Sequence, residues 1–436
     1  MSTELEMPPV PGPAEERWHA MLYRRLRSPS FSRNVAETFG TRVFLLGLSV
    51  VASVILARIL GPAGRGYYAV ATAVTGTGVQ VGNLGLHASN TYTAARDPSL
   101  VPRLFANSLV VAFGAGGAGA AVAFAFLFLR SDLAPVYGWV MVLSVAAIPF
   151  ALGYLLFQSL LLGIHEVRAY NKIDATVTLL GVALIVGIVV AGAVSVEALM
   201  ASALGVAVVS CAWAAARVRR HVAALEAPSW PLFRTTFRYG TKAYVAALFA
   251  YLVQRADLFI LTRMLGSDDT GYYAAAVSVT SVAAIFPSAV GTILFPRLSV
   301  EADGAERWRL TRRVLGIVVV GMAAIAALTM ILAPLVVRFL FGDAFLPAVE
   351  PLRWLMPGVL MLSVNSILMN YFASMGMPMV TVYSPALATV VNVGLNLLLI
   401  PRFGVVGAAL ASVAAYGTML ACSVAYLTVW PRWRSR

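Results

Sequence analysis

The sequence predicts an all-α polytopic membrane protein, with about twelve transmembrane helices arranged as two six-helix lobes. Three observations predict it. Of 436 residues, 60% are hydrophobic and 12% charged, with mean hydropathy +0.83, whereas soluble chains carry roughly 25% charged residues. Apolar runs near or above the ~20 residues needed to cross a bilayer recur along the whole chain. Two stretches some 200 residues apart also repeat one another, and repeats of this kind are how two-lobed transporters are built.

The spans follow in order. Residues 1–16 are rich in Pro and Glu and hold too little apolar surface for a core. Trp18, Met21, Leu22 and Leu26 then alternate with Arg17, Arg24, Arg25 and Arg27, a pattern that predicts an interfacial amphipathic helix. It is a poor signal peptide, lacking a short apolar stretch closed by a small-residue cleavage site. Apolar runs predict crossings at 34–60, 68–95, 103–129, 133–162, 173–193 and 195–216 in an N-lobe spanning 33–216. A basic, Pro-containing linker occupies 217–236. The C-lobe, 237–430, holds crossings at 237–265, 272–298, 312–340, 347–374, 379–400 and 405–430, and residues 431–436 form a basic tail. Gly78, Gly82 and the Gly114 to Gly119 cluster allow close helix approach, and Pro149, Pro287, Pro334, Pro357 and Pro385 are hinge candidates.

The duplication is legible residue by residue. Gly40-Thr41-Arg42, Arg58-Ile59-Leu60-Gly61 and Gly66-Tyr67-Tyr68-Ala69 return as Gly240-Thr241-Lys242, Arg263-Met264-Leu265-Gly266 and Gly271-Tyr272-Tyr273-Ala274. Ala198, Ala201 and Ser202 return as Ala408, Ala411 and Ser412. Six crossings per copy give both copies the same orientation, so the axis relating them lies along the membrane normal.

Charge sets the orientation. With a cytoplasmic N-terminus, 22 of the 32 Lys and Arg residues fall on the inside. Six fall at the outer turns and adjoining helix ends: Arg58, Arg65, Arg130, Arg263, Arg338 and Arg402. The asymmetry predicts both termini in the cytoplasm. Most of the net charge of +13 is therefore topology and calls for no nucleic-acid partner.

Much chemistry is excluded. No loop is long enough for a catalytic or nucleotide-binding domain, neither Lys172 nor Lys242 follows a Walker A glycine run, and the four histidines are scattered. No enzyme activity, metal or cofactor is expected. Cys211 and Cys422, in separate lobes, read as small buried side chains.

Function must then reside in polar groups within the bilayer, each of which has to face protein, water or a ligand. Arg255 lies about 15 Å from the outer end of the seventh crossing, close to the midplane. Arg42 and Lys242 are repeat-equivalent bases near the cytoplasmic mouth, where snorkelling to lipid phosphates and substrate contact are equal readings. Arg353, three residues after Glu350, is a further base whose first reading is a local ion pair. These bases suit an anionic head group such as a pyrophosphate. Asp257, Glu37 and Asp174 are the acids available for coupling to protons or sodium, with Asp257 foremost, and Asp174 also suits a helix-capping role. Asn365, Asn370, Asn392 and Asn396 either hydrogen-bond sugars or bond across helices, the second being commoner.

The Arg58-Ile-Leu-Gly-Pro-Ala-Gly-Arg-Gly-Tyr-Tyr-Ala stretch, Arg255-Ala-Asp257-Leu-Phe-Ile-Leu, Gly271-Tyr-Tyr-Ala-Ala-Ala and Phe295-Pro-Arg-Leu-Ser299 together resemble the polysaccharide-transporter (Wzx-type oligosaccharide flippase) family. That family lies within the superfamily that includes the multidrug and toxic-compound extruders, and the resemblance covers about residues 33 to 430. It implies a MATE-like, V-shaped fold in the bacterial inner membrane. It also implies a polyprenyl-pyrophosphate-linked oligosaccharide as cargo, flipped between leaflets by alternating access alongside glycosyltransferases and a polymerase. Lipid II flippases resemble the chain too, but usually carry two further helices. Competing readings are an ion-coupled drug exporter, which requires acids to dominate the cavity, and a non-transporting scaffold for polysaccharide assembly.

Overall fold

The computed structural model describes residues 29–129, 135–222, 224, 226–301 and 303–434, and the side chains of these except 29–39, 41–43, 46 and 430–434. The predicted 17–27 surface helix lies outside them. The described chain is built from helices: α1 (Pro29–Gly82), α2 (Leu86–Arg96), α3 (Val101–Leu109), α4 (Gly116–Leu129), α5 (Gly138–Gly163), α6 (Val167–Val190) and α7 (Val196–Arg219) form the N-lobe. The C-lobe contains α8 (Trp230–Val253), α9 (Ala256–Leu265), α10 (Ser267–Ala283), α11 (Ile285–Val300), α12 (Gly304–Phe341), α13 (Val349–Ser374) and α14 (Val380–Arg434). Nine described helical stretches are long and apolar enough to cross a membrane, and the bent pair α10–α11 makes a tenth. Two of the nine hold two crossings each, because α1 breaks at Gly61 and α14 at Gly404, both at positive φ, and twelve crossings result. Large apolar side chains face outward at mid-helix, among them Val122, Ile331 and Leu335, a surface that only hydrocarbon accommodates.

Several boundaries differ from the sequence expectation. The linker is shorter than 217–236, since α7 continues to Arg219 and Ser229 caps α8 at Trp230, with Pro231 in its first turn. The chain uses that proline as a helix start, where its missing N–H is no loss. Prolines 149, 334 and 357 lie inside continuous helices and so break none of them. The breaks fall instead at Gly61, at Leu84-Gly85, at Gln254-Arg255, at Ala284 and at Gly404. Of the hinge prolines only Pro287 adjoins a break, in the first turn of α11. Glycine supplies the left-handed backbone a sharp reversal needs, which proline cannot.

The lobes meet at both ends. On the face opposite the basic loops, the repeat-equivalent Gly66 and Gly271 pack against one another's turns: a Cβ on Gly66 would strike the Ser267 carbonyl and one on Gly271 the Pro62 carbonyl. Helices α1 and α10 share the most extensive packing between the lobes, and their alanines, Ala69 to Ala73 and Ala274 to Ala276, merge into one core. Arg58 donates to the terminal carbonyls of Phe339 and Leu340 at the end of α12. On the basic face Gly85 abuts Gly240 backbone to backbone, Tyr92 stacks on Tyr239 with centroids 4.4 Å apart, and Tyr244 donates to the Val81 carbonyl at 2.9 Å. Asn107 exchanges hydrogen bonds with the backbone of Ser229 at 2.8 and 3.1 Å.

Candidate functional site

Between these two seals lies a cavity of about 500 Å³. Its walls come from α1 on both sides of the Gly61 turn, from α6 and α7, and from α9 and α10 of the other lobe. Among the described residues its lining holds two charged side chains, Arg65 and Arg255, and no carboxylate. Arg255 stands at the break between α8 and α9 with its side chain exposed to the cavity. The stretch from Gly240 to Gly266 is five residues longer than that from Gly40 to Gly61, and the helix is interrupted within it.

Arg65 is the residue that sequence reasoning misplaced. Counted as an outer-turn charge, it is 9% exposed and turned inward, donating to Ser53 and Ser278 at 3.1 Å each. Ser53 donates to Ser278 at 3.0 Å, so the triad ties α1 to α10 across the lobes. The Nε of Arg65 is buried without a hydrogen-bond partner. One signal was available. In the second repeat the equivalent position is Thr270, and a charge present in one copy alone is not part of the shared architecture.

Behind the cavity wall Asp257 is buried, with one carboxylate oxygen accepting the Leu258 N–H at 2.9 Å and the other accepting the hydroxyls of Tyr273 and of Ser412 (3.2 Å). Tyr273 also lines the cavity, so one side chain connects the two. The network extends through Asn392, which reaches Ser412 at 3.4 Å, to Asn396, whose amide bonds Asn392 while its own oxygen is buried and unpartnered. Among the described residues no ion pair reaches Asp257. Asn365 likewise accepts from Ser423 at 2.7 Å, so these asparagines bond across and along helices, the commoner of the two readings.

The other predicted site residues scatter. Lys242 is exposed on α8 and is not among the residues that line the inter-lobe cavity. Arg353 is exposed on α13, and its Nε donates to the Met330 carbonyl at 3.0 Å; among the described residues no ion pair joins it to Glu350. The carbonyl on α12 is simply the nearer acceptor once the helices pack. Asp174 accepts from Tyr154 at 3.3 Å inside the N-lobe, away from Asp257. The side chains of Arg42 and Glu37 lie outside the described residues. Both cysteines are free.

The twelve-crossing, two-lobed bundle is the fold of known membrane transporters. The solved lipid II flippase MurJ, in an inward closed conformation, superposes with a TM-score of 0.74 at 11% identity, covering 89% of this chain and 87% of that one. An inward-facing multidrug resistance MATE family transporter of the MOP superfamily gives 0.66 at 15% identity over 89% and 94%. Residues 55–350, more than half of the chain, match the polysaccharide biosynthesis protein family, and the chain belongs to that family. The protein named probable low-salt glycan biosynthesis flippase Agl15, of Haloferax volcanii, is 24% identical over 244 residues, 55% of this chain and 51% of that protein. The chain spans about half, or less, of the length of the curated relatives it matches.

Proposed function

We propose that this protein flips a polyprenyl-phosphate- or pyrophosphate-linked oligosaccharide across a bacterial inner membrane by alternating access. The observation that carries the reading is the sign of the cavity: two guanidiniums and no carboxylate among its described lining residues. A cationic drug would find no counter-charge there, whereas a phosphate group would receive paired, charge-assisted hydrogen bonds. Serine, threonine and tyrosine hydroxyls of the same walls offer partners to sugars. The volume of about 500 Å³ admits a small phosphate-linked head, and a longer glycan enters as the lobes part. The polyprenyl tail remains in lipid throughout. The family membership and the name of the Haloferax volcanii relative support the same cargo class.

Coupling belongs to Asp257. A buried carboxylate held by three neutral donors, with no ion pair among the described residues, is disfavoured, so it is the place where a proton or small cation binds, and the unpartnered Asn396 oxygen adds a ligand nearby in the same network. Tyr273 carries that event to the cavity wall. Both termini lie in the cytoplasm in this reading, because the basic loops gather on one face. Depleting the protein tests the function: a lipid-linked repeat unit should accumulate on the inner leaflet. Its normal appearance on the outer leaflet, with no rival exporter present, would reject the proposal.

A further inference from the structure

A second basic cavity, about 440 Å³, lies wholly within the N-lobe where α6 begins and α7 ends, and shares no lining residue with the inter-lobe cavity. Arg168 and Lys172 approach it from α6, Arg217 from α7 and Arg220 from the residue that caps α7, against one acid, Glu166. That acid is committed: Glu166 accepts from Arg217 at 2.9 Å and contacts His221 at 3.1 Å. Arg217, first, and then His221 hold its carboxyl below the usual glutamate range, so it stays ionised. The lining therefore keeps an excess of three positive charges, and among the described residues Arg168, Lys172 and Arg220 have no carboxylate within ion-pair distance.

The start of α6 adds to the imbalance. Its N-cap residue is Glu166, yet that side chain makes no capping hydrogen bond, and the first turn contains no acid. Arg168 sits there instead, against the sign that the helix N-terminus favours. An N-terminus left without a side-chain cap and four basic side chains thus border one concavity, a setting that suits phosphate. The Nε of Arg217 is also buried without a partner.

Part of the cavity wall is apolar. Ala169, Ile173, Ala216 and the indole of Trp213 complete the lining, and Trp213 stands where a crossing meets the interface. We propose that this cavity seats the phosphate of an anionic phospholipid head group from the leaflet on the basic face, with the glycerol end of the lipid against the apolar wall. A soluble phosphate would make no use of that wall.

The test uses the full-length protein in detergent, with retained lipid counted by native mass spectrometry after exposure to phosphatidylglycerol, phosphatidylcholine or inorganic phosphate. Wild type should retain phosphatidylglycerol about tenfold better than phosphatidylcholine. The pair Arg168→Gln with Lys172→Gln should lose most of that preference, and Ala216→Trp, which fills the cavity without changing its charge, should lose it as well. Removing two basic-face charges elsewhere, Arg297→Gln with Arg313→Gln, should leave it intact. Equal losses in the cavity and control pairs would overturn the site, since they would reduce it to general surface charge. Displacement of phosphatidylglycerol by millimolar inorganic phosphate would overturn the lipid assignment, as would retention unchanged by Ala216→Trp.

Discussion

Arg255 and Arg65 illustrate what a residue reveals before and after folding. Arg255 was legible because a base near the middle of a crossing has to face something other than lipid, and it does line the inter-lobe cavity. Arg65 was not legible, because its distance from the Gly61 turn says nothing about the direction its side chain takes, and only packing of α10 against α1 brings Ser278 to it. Substitution of either residue removes charge-assisted hydrogen bonds worth about 1.5 to 3 kcal/mol. Arg255→Ala and Arg65→Gln are therefore each expected to weaken binding of a lipid-linked pyrophosphate by roughly ten- to a hundredfold, read by titration of the purified protein. Arg65→Gln should additionally loosen the lobe contact, because it serves Ser53 and Ser278 at once. Asp257 is the complementary case. Asp257→Asn keeps the shape and most of the hydrogen bonds but cannot ionise, so the protein should express normally while its transport stops responding to an imposed proton or sodium gradient. Transport that keeps its full gradient response would remove Asp257 from the coupling step.

At the scale of elements, glycine decides how closely the lobes approach. Gly66 and Gly271 meet on one face and Gly85 and Gly240 on the other, each pair leaving no room for a Cβ. Gly66→Val should wedge apart the face opposite the basic loops, and Gly240→Val the basic face. The two variants should make a cysteine placed at Ser53 react with an impermeant maleimide from opposite sides of the membrane, and labelling from the same side in both would contradict the paired-seal arrangement. The junction of α6 and α7 carries its own pH signature. Because Arg217 holds the Glu166 carboxyl below its ordinary value of 4.5, the contact stabilises the fold above that value and is lost as pH falls through the lower, folded value. Arg217→Gln should accordingly lower the unfolding midpoint near pH 6 and lose that deficit toward pH 3, so that its midpoint falls less steeply with acid than that of the wild type. The number and order of crossings were readable from apolar runs, whereas their breaks were not: proline looked like the punctuation, but tertiary packing keeps helices continuous through Pro149, Pro334 and Pro357 and bends the chain at glycines and at Arg255.

For the whole molecule, duplication of architecture and asymmetry of chemistry are separate facts. The positions of the first repeat equivalent to Arg255 and Asp257 are Val50 and Ala52, while Tyr68 and Tyr273 are shared. The two-lobed fold thus places the two cavity arginines at the lobe boundary and, among the described residues, the buried Asp257 network in the C-lobe; under the proposed function, coupling events are expected to begin there and to be transmitted through Tyr273. Depletion of the protein, with the lipid-linked glycan then traced to one leaflet, tests the same claim at the level of the membrane. The sequence by itself determined the solvent, the count of crossings, the duplication and the cationic character of the candidate site, because hydropathy, repeat spacing and charge are properties of the chain read in order. Tertiary structure alone decided which cations share a cavity: it joined Arg65 to Arg255, left Lys242 and Arg353 on exposed surfaces, and set Tyr273 between cavity and acid. The physical reason is that a helix face is assigned by the neighbour that buries it, and residues some 190 positions apart become neighbours only when two lobes close on each other.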